Sequence, residues 1–134
     1  MQITREADYA IRCVLYLSEP QGEVIMVDKI AKAKKIPKSF LAKILQKLTK
    51  AGIVKSFRGV KGGFQLAKKP QAISLLDVIE AIDGSVAMNR CAIDKRMCSL
   101  SNECSVHPVW VELRKEVEAR LRKTDFKKLV TVKR

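Results

Sequence analysis

Three cysteines and the only histidine lie within one short stretch: Cys91, Cys98, Cys104 and His107, spaced C-x6-C-x5-C-x2-H. Thiolates and imidazole are ligands for soft and borderline metals, so this set suits an iron–sulfur cluster, zinc or copper(I). The gaps between cysteines are longer than the short knuckles of zinc fingers and suit a loop wrapped round a larger inorganic body. Asn89, Ser99, Ser101 and Asn102 are of types that hydrogen-bond to sulfides, though they are also ordinary loop residues. On spacing alone, zinc and a reversible disulfide between two of the loop thiols stay open as alternatives. Cys13 is different. It lies inside a helical apolar pattern and reads as a small core residue, dispensable for metal binding.

Charge supplies the second chemistry. The 134 residues carry 27 Lys and Arg against 14 Asp and Glu, a net charge of +13. Between Lys29 and Lys69 there are 13 basic residues and no acid, while the rest of the chain is neutral. A basic block of this kind is the electrostatic footprint of a polyanion, and nucleic acid is the usual one. A merely solvating surface is a poor account of such a block. Aromatic residues are only 5% of the chain, which disfavours single-strand binding by base stacking.

The elements that must position these groups follow from periodicity. Residues 4–18 predict a helix capped by Thr4, with Ala7, Ile11, Val14, Leu15 and Leu17 on its apolar face. Pro20-Gln21-Gly22 ends it. Residues 24–27 predict a short strand. Asp28 is placed to cap a short helix over 29–35, with Ile30, Ala31 and Ala33 inward. After the turn Ile36-Pro37-Lys38, a longer helix is expected over 39–51, with Leu41, Ile44, Leu45 and Leu48 inward and Gly52 as its left-handed cap. Strands over 53–57 and 64–67 flank the turn Arg58-Gly59-Val60-Lys61-Gly62-Gly63. Ser74 caps a helix over 75–82 that Gly84 stops. Residues 85–104 form a long loop, and a long loop in a compact domain is usually functional or disordered. Pro108 starts a helix to about residue 123, followed by a short one capped by Thr124 or Asp125.

Short helix, turn, longer helix and basic hairpin make a winged helix-turn-helix: a mainly α fold with a small β-hairpin wing. The second helix of such a pair can lie in the major groove of duplex DNA. Its outward candidates are Lys38, Ser39, Phe40, Lys43, Gln46, Lys47 and Lys50. In the wing, Arg58 and Lys61 supply charge, while Gly59, Gly62 and Gly63 let backbone approach phosphate or a minor groove. The lysines read as phosphate contacts; Ser39, Gln46 and Arg58 have the directional donors that base edges require.

In the last helix, Val106, Val109, Trp110, Leu113, Val117, Arg120 and Leu121 form a narrow stripe opposite a charged face that includes Glu112, Arg114, Lys115, Glu118 and Arg122. A second subunit would cover that stripe, as would the chain's own first helix. The expected organisation is a DNA-binding unit over 1–84, a cysteine loop over 85–107, and a dimerisation helix with its tail over 108–134. No apolar run is long enough to span a membrane. The polar start, MQITREADYA, lacks a secretory core, so a cytoplasmic protein is expected. No phosphate-binding glycine loop or paired carboxylate motif is present, so neither an enzyme nor a small-molecule substrate is expected. A cluster-bearing electron-transfer subunit is the alternative from another class.

The chain resembles the bacterial winged-helix regulators that include IscR, the iron–sulfur regulator, and NsrR, the nitric-oxide sensor. The resemblance rests on MQITREADYAIRCVLYL, on KSFLAKILQKLTKAGIVKSFRGVKGGFQLAK, on ISLLDVIEAIDG, and on the three cysteines before HPVWVEL. It implies a homodimer on a palindromic promoter site, a repressor as the leading reading, and a cluster held by Cys91, Cys98 and Cys104. For the fourth ligand, His107 stands where IscR-like members have a histidine, which implies 2Fe–2S and is preferred. Asp8 stands where NsrR-like members have an aspartate donated across the dimer, which implies 4Fe–4S. The first cysteine gap is one residue longer than in these relatives. Ala42 replaces a glutamate of the IscR recognition helix, so a different promoter sequence is expected.

Overall fold

The computed structural model describes residues 2–19 and 23–131. The expected helix stop at Pro20-Gln21-Gly22 lies outside the described residues. Helix α1 (Arg5–Leu17) buries Ala7, Ala10, Cys13, Val14 and Leu17, a stripe at three- and four-residue spacing. Thr4 caps it by accepting from the Ala7 amide at 3.0 Å and donates its hydroxyl to Asp83 at 2.7 Å, which ties the start of α1 to the end of a later helix.

Helix α2 (Val27–Lys34) starts earlier than its pattern indicates. Asp28 lies within its first turn rather than at the cap, which Met26 occupies without a side-chain bond. Ile30 is buried, whereas Ala33 is exposed. Lys35 turns the chain in a left-handed conformation (φ 53°), and Ile36 plugs the turn. Helix α3 (Lys38–Lys50) then buries Leu41, Ile44, Leu45 and Leu48, as expected. Gly52 closes it at φ 77°.

Strands β1 (Val54–Phe57) and β2 (Gly63–Leu66) pair antiparallel, with Val54 opposite Leu66 and Phe57 opposite Gly63. The strand expected over 24–27 reduces to a single bridge: Ile25 and Phe64 exchange both backbone hydrogen bonds at 2.8 Å. Val27 has already entered α2. Gly63 is required for this bridge, because a Cβ there would overlap the Ile25 carbonyl.

Helix α4 (Leu75–Asp83) begins with a capping box in which Ser74 and Asp77 satisfy each other's amides. Residues 85–106 follow as a loop with two 3-10 turns, Arg90–Ala92 and Lys95–Met97. Helix α5 (His107–Lys123) buries no residue fully. Its Val117 and Leu121 pack on Leu76, Ile79 and Val86, so its own-chain support is α4 and the following loop rather than α1. Helix α6 (Phe126–Thr131) returns to the main core. Phe126 is completely buried with α1 and α3 side chains, and its amide donates to the Ile73 carbonyl at 3.1 Å. The C-terminal segment thus helps to build the core. One aromatic at the start of a lysine-rich stretch has no periodicity to announce this.

Candidate nucleic-acid interface and cysteine loop

On α3, Ser39, Lys43, Gln46 and Lys50 recur at four-, three- and four-residue spacing and form one exposed stripe. Lys38, Phe40 and Lys47 are also exposed, but each has a partner. The Phe40 ring lies 6.1 Å from the Tyr9 ring of α1, tilted by 57°. Lys47 Nζ is 2.8 Å from Glu6 of α1, and Lys38 Nζ is 2.6 Å from Asp28 of α2. Phe40 and Lys47 therefore brace α3 against α1, a role invisible in the spacing of α3 alone.

The hairpin stands beside the start of α3 and encloses with it an open cleft of about 580 Å³, whose walls include Ala42, Phe57 and Arg58. Arg58, Gly59 and Lys61 are exposed. Gly62 and Gly63 are half-buried, and their missing side chains make room for the chain itself. A Cβ on Gly62 would crowd the Phe57 carbonyl, just as one on Gly63 would crowd Ile25. Their smallness is thus accounted for within the fold, before any phosphate is considered.

The cysteine loop is tied near Cys91, and Cys98 in its middle is exposed. Cys91 sits half-buried in the first 3-10 turn. On one side, the Trp110 indole donates to Asn89 Oδ1 at 2.9 Å, with the amide oriented by its bonds. On the other, Arg114 Nη1 donates to the Ala92 carbonyl at 2.7 Å. Asn89, read from sequence as a sulfide donor, instead donates its amide nitrogen to the Met88 carbonyl at 3.1 Å. Arg114, read as part of a solvated face, is a largely buried tether. No local pattern distinguishes Arg114 from the other charges of α5.

Cys98 is exposed just after the second turn. Beside it, hydrogen bonds from the Arg96 side chain and amide hold the Asp94 carboxyl below the usual carboxylate range. Cys104 is half-buried, and its carbonyl accepts from the His107 amide at 3.3 Å. His107 opens α5 with its Nδ1 buried, and neither that atom nor the buried Ser101 hydroxyl has a hydrogen-bond partner among the described residues.

All four thiols are free. Cys104 and His107 are one turn apart, but Cys91 and Cys98 do not join them. Among the described residues no three Cys, His, Asp or Glu side chains converge as a metal site. Asp8 is held by Arg12 at 2.8 Å and is likewise absent from any such group within the chain. The donors fit an iron–sulfur cluster in kind, with three unpaired thiols and one imidazole nitrogen lacking a bond. The loop must close to bring them to one point. Cys13 is fully buried in the core, where desolvation pushes its thiol from 9.0 up to about 12. This is the small core residue its position indicated.

Residues 3–132 match the family described as Rrf2, iron-dependent transcriptional regulator. The chain belongs to the Rrf2 family. Rrf2 relatives are transcriptional regulators, and the family is not enzymatic. A protein of Aquifex aeolicus (strain VF5), provisionally named an HTH-type transcriptional regulator, is 36% identical over 126 residues, covering 92% of this chain and 88% of that one. The HTH-type transcriptional regulator IscR of Aliivibrio salmonicida is 34% identical over 121 residues, covering 89% of this chain and 71% of its own. The crystal structure of Staphylococcus aureus CymR in its oxidised form is similar at a TM-score of 0.77 and 26% identity, covering 100% of this chain and 99% of that one. The winged helix-turn-helix of this Rrf2 protein is thus the fold of a DNA-binding transcription regulator. Among its described residues, no helix is long and apolar enough to cross a membrane.

Proposed function

We propose that this Rrf2 protein is a cytoplasmic homodimeric repressor whose grip on a palindromic promoter site depends on an iron–sulfur cluster in the 91–107 loop. One observation carries the reading. Three free thiols occupy a loop that ends on α5, where His107 Nδ1 is buried with no hydrogen-bond partner among the described residues. Cys91, Cys98, Cys104 and His107 would hold the group, with 2Fe–2S preferred; Asp8 from a second subunit would complete a 4Fe–4S site instead. When bound, the cluster supplies a centre that responds to oxidants, nitric oxide or iron supply.

The chain's own residues would then do the rest. Closing the loop draws Cys98 towards the tethered Cys91 and shifts the footing of α5. The half-exposed side of α5, with Val109 at 55% exposure, is the surface for the second subunit. A shift there resets the distance between the two α3 helices, which must match half-sites about one helical turn apart. The outward stripe Ser39, Lys43, Gln46 and Lys50, with Arg58, Gly59 and Lys61 of the wing, would meet the duplex.

A second reading keeps DNA binding and replaces the cluster by thiol chemistry, either a reversible disulfide or zinc. The exposure of Cys98 and the likeness to oxidised CymR favour it. Protein purified without air decides between them. Visible absorption that is lost in Cys91→Ser, Cys98→Ser and Cys104→Ser is the expected result; a colourless, iron-free protein overturns the cluster. Binding of holo and apo protein to a duplex selected from a random library tests control, and equal affinity and selectivity in both states would falsify it.

A further inference from the structure

Asp28 is the only acidic residue between Glu23 and Asp77. Its carboxylate stands 2.6 Å from Lys38 Nζ, and the two side chains are 66% and 68% exposed. A pair so wet contributes little to folding, so its consequence lies in the field it makes. That field falls on the cleft between α3 and the hairpin, where Asp28 and Lys38 face Phe57, Arg58 and Gly59. By contrast, Lys43 on the outward stripe of α3 has no ion pair among the described residues.

We propose that Asp28 is a specificity-determining residue for duplex DNA. It neutralises Lys38, so that the α3–hairpin cleft offers an incoming phosphate no net positive charge. The proposal rests on the reading that α3 and the wing contact the duplex. Each unpaired lysine that meets a phosphate strengthens binding to every sequence alike, because counterions are released whatever the bases are. A lysine already matched by a carboxylate releases no such net charge. In a mis-registered complex a phosphate lies against the cleft and meets the Asp28 carboxylate. In the registered complex the cleft faces base edges, whose amino groups a carboxylate accepts. Asp28 thereby weakens the wrong complexes more than the right one.

The test measures the salt dependence of binding by the full-length protein to two duplexes of equal length, one selected by the protein and one random. Asp28→Asn is expected to strengthen random-duplex binding several-fold more than selected-duplex binding. It should also steepen the slope of log K against log salt by about 0.9. Lys38→Met, which leaves the Asp28 carboxylate unmatched, is expected to weaken random-duplex binding, and in the Asp28→Asn background to remove that same increment. Unchanged selectivity in Asp28→Asn, or tighter random-duplex binding on Lys38→Met alone, overturns the proposal. Lys43→Ala is the reference: a slope shallower by about 0.9 is expected. If Lys43→Ala has no effect, the reading of α3 as the contacting helix falls and the proposal with it. If Lys43→Ala behaves as expected while Asp28→Asn does nothing, the proposal alone falls. All three exposed substitutions should leave the circular dichroism spectrum unchanged.

Discussion

Arg114 of α5 donates to the Ala92 carbonyl at 2.7 Å, one residue beyond Cys91, so the cysteine loop, which runs into α5 at His107, is also pinned to that helix near Cys91. With the Trp110–Asn89 bond on the other side, Cys91 is bracketed while Cys98 stands clear. A charged donor to a shielded carbonyl is worth about 1.5–3 kcal/mol locally. Arg114→Met is expected to raise the alkylation rate of Cys91 several-fold and to leave that of the exposed Cys98 unchanged. Peptide mapping by mass spectrometry reads both rates in one sample. An unaltered Cys91 rate would show that the tether does not hold the loop. The emission of Trp110, the only tryptophan, should shift to the red in the same variant.

Cys13 makes stability depend on pH in the alkaline range. The unfolded chain ionises this thiol around 9.0, the folded chain only around 12. Between these values the unfolded state binds fewer protons, so its contribution to stability is complete below pH 9 and is lost as pH rises towards 12. Cys13→Ala removes this component and costs about 1 kcal/mol at neutral pH by leaving a small void. Urea melts of both proteins from pH 7 to 11 check it, with the gap between them narrowing at the top of the range. Alkylation of the native protein at pH 8 should spare Cys13.

The wing depends on Gly63. An alanine there drives its methyl group into the Ile25 carbonyl and breaks the bridge between Ile25 and Phe64. Overpacking of this kind costs about 1–3 kcal/mol. Gly59→Ala meets open space at its Cβ and suffers only the strain of φ 105°, about 1 kcal/mol. Thermal melts of the two variants should rank Gly63→Ala as the less stable, and the reverse order would contradict the observed pairing.

Phe126 makes α6 part of the core rather than an appendage. Truncating a fully buried aromatic costs about 3–5 kcal/mol, so Phe126→Ala should lower the unfolding midpoint in urea markedly. Lys127→Ala, next to it but exposed, should leave the midpoint in place. Equal midpoints for the two would mean that the C-terminal segment is not folded onto the core.

Sequence alone was sufficient for most features with a local or periodic cause, α2 and its cap excepted. The faces of α1, α3 and α4 follow from apolar spacing, and the Thr4 and Ser74 caps follow from short polar side chains placed before apolar runs. The turn at Gly52 follows from its freedom at positive φ. The family resemblance was carried by residues that stay close in the chain. What tertiary structure decided are relations between distant residues. The hold of Glu6 on Lys47, of Asp28 on Lys38 and of Arg114 on Ala92 joins groups whose types are common and whose separations follow no period. The same is true of the return of Phe126 to the core and of the half-buried state of the α5 stripe. A charged side chain looks alike in sequence whether water or another helix neutralises it. Only the three-dimensional packing of the helices selects its partner, and with it which lysines stay unpaired and which cysteine is exposed.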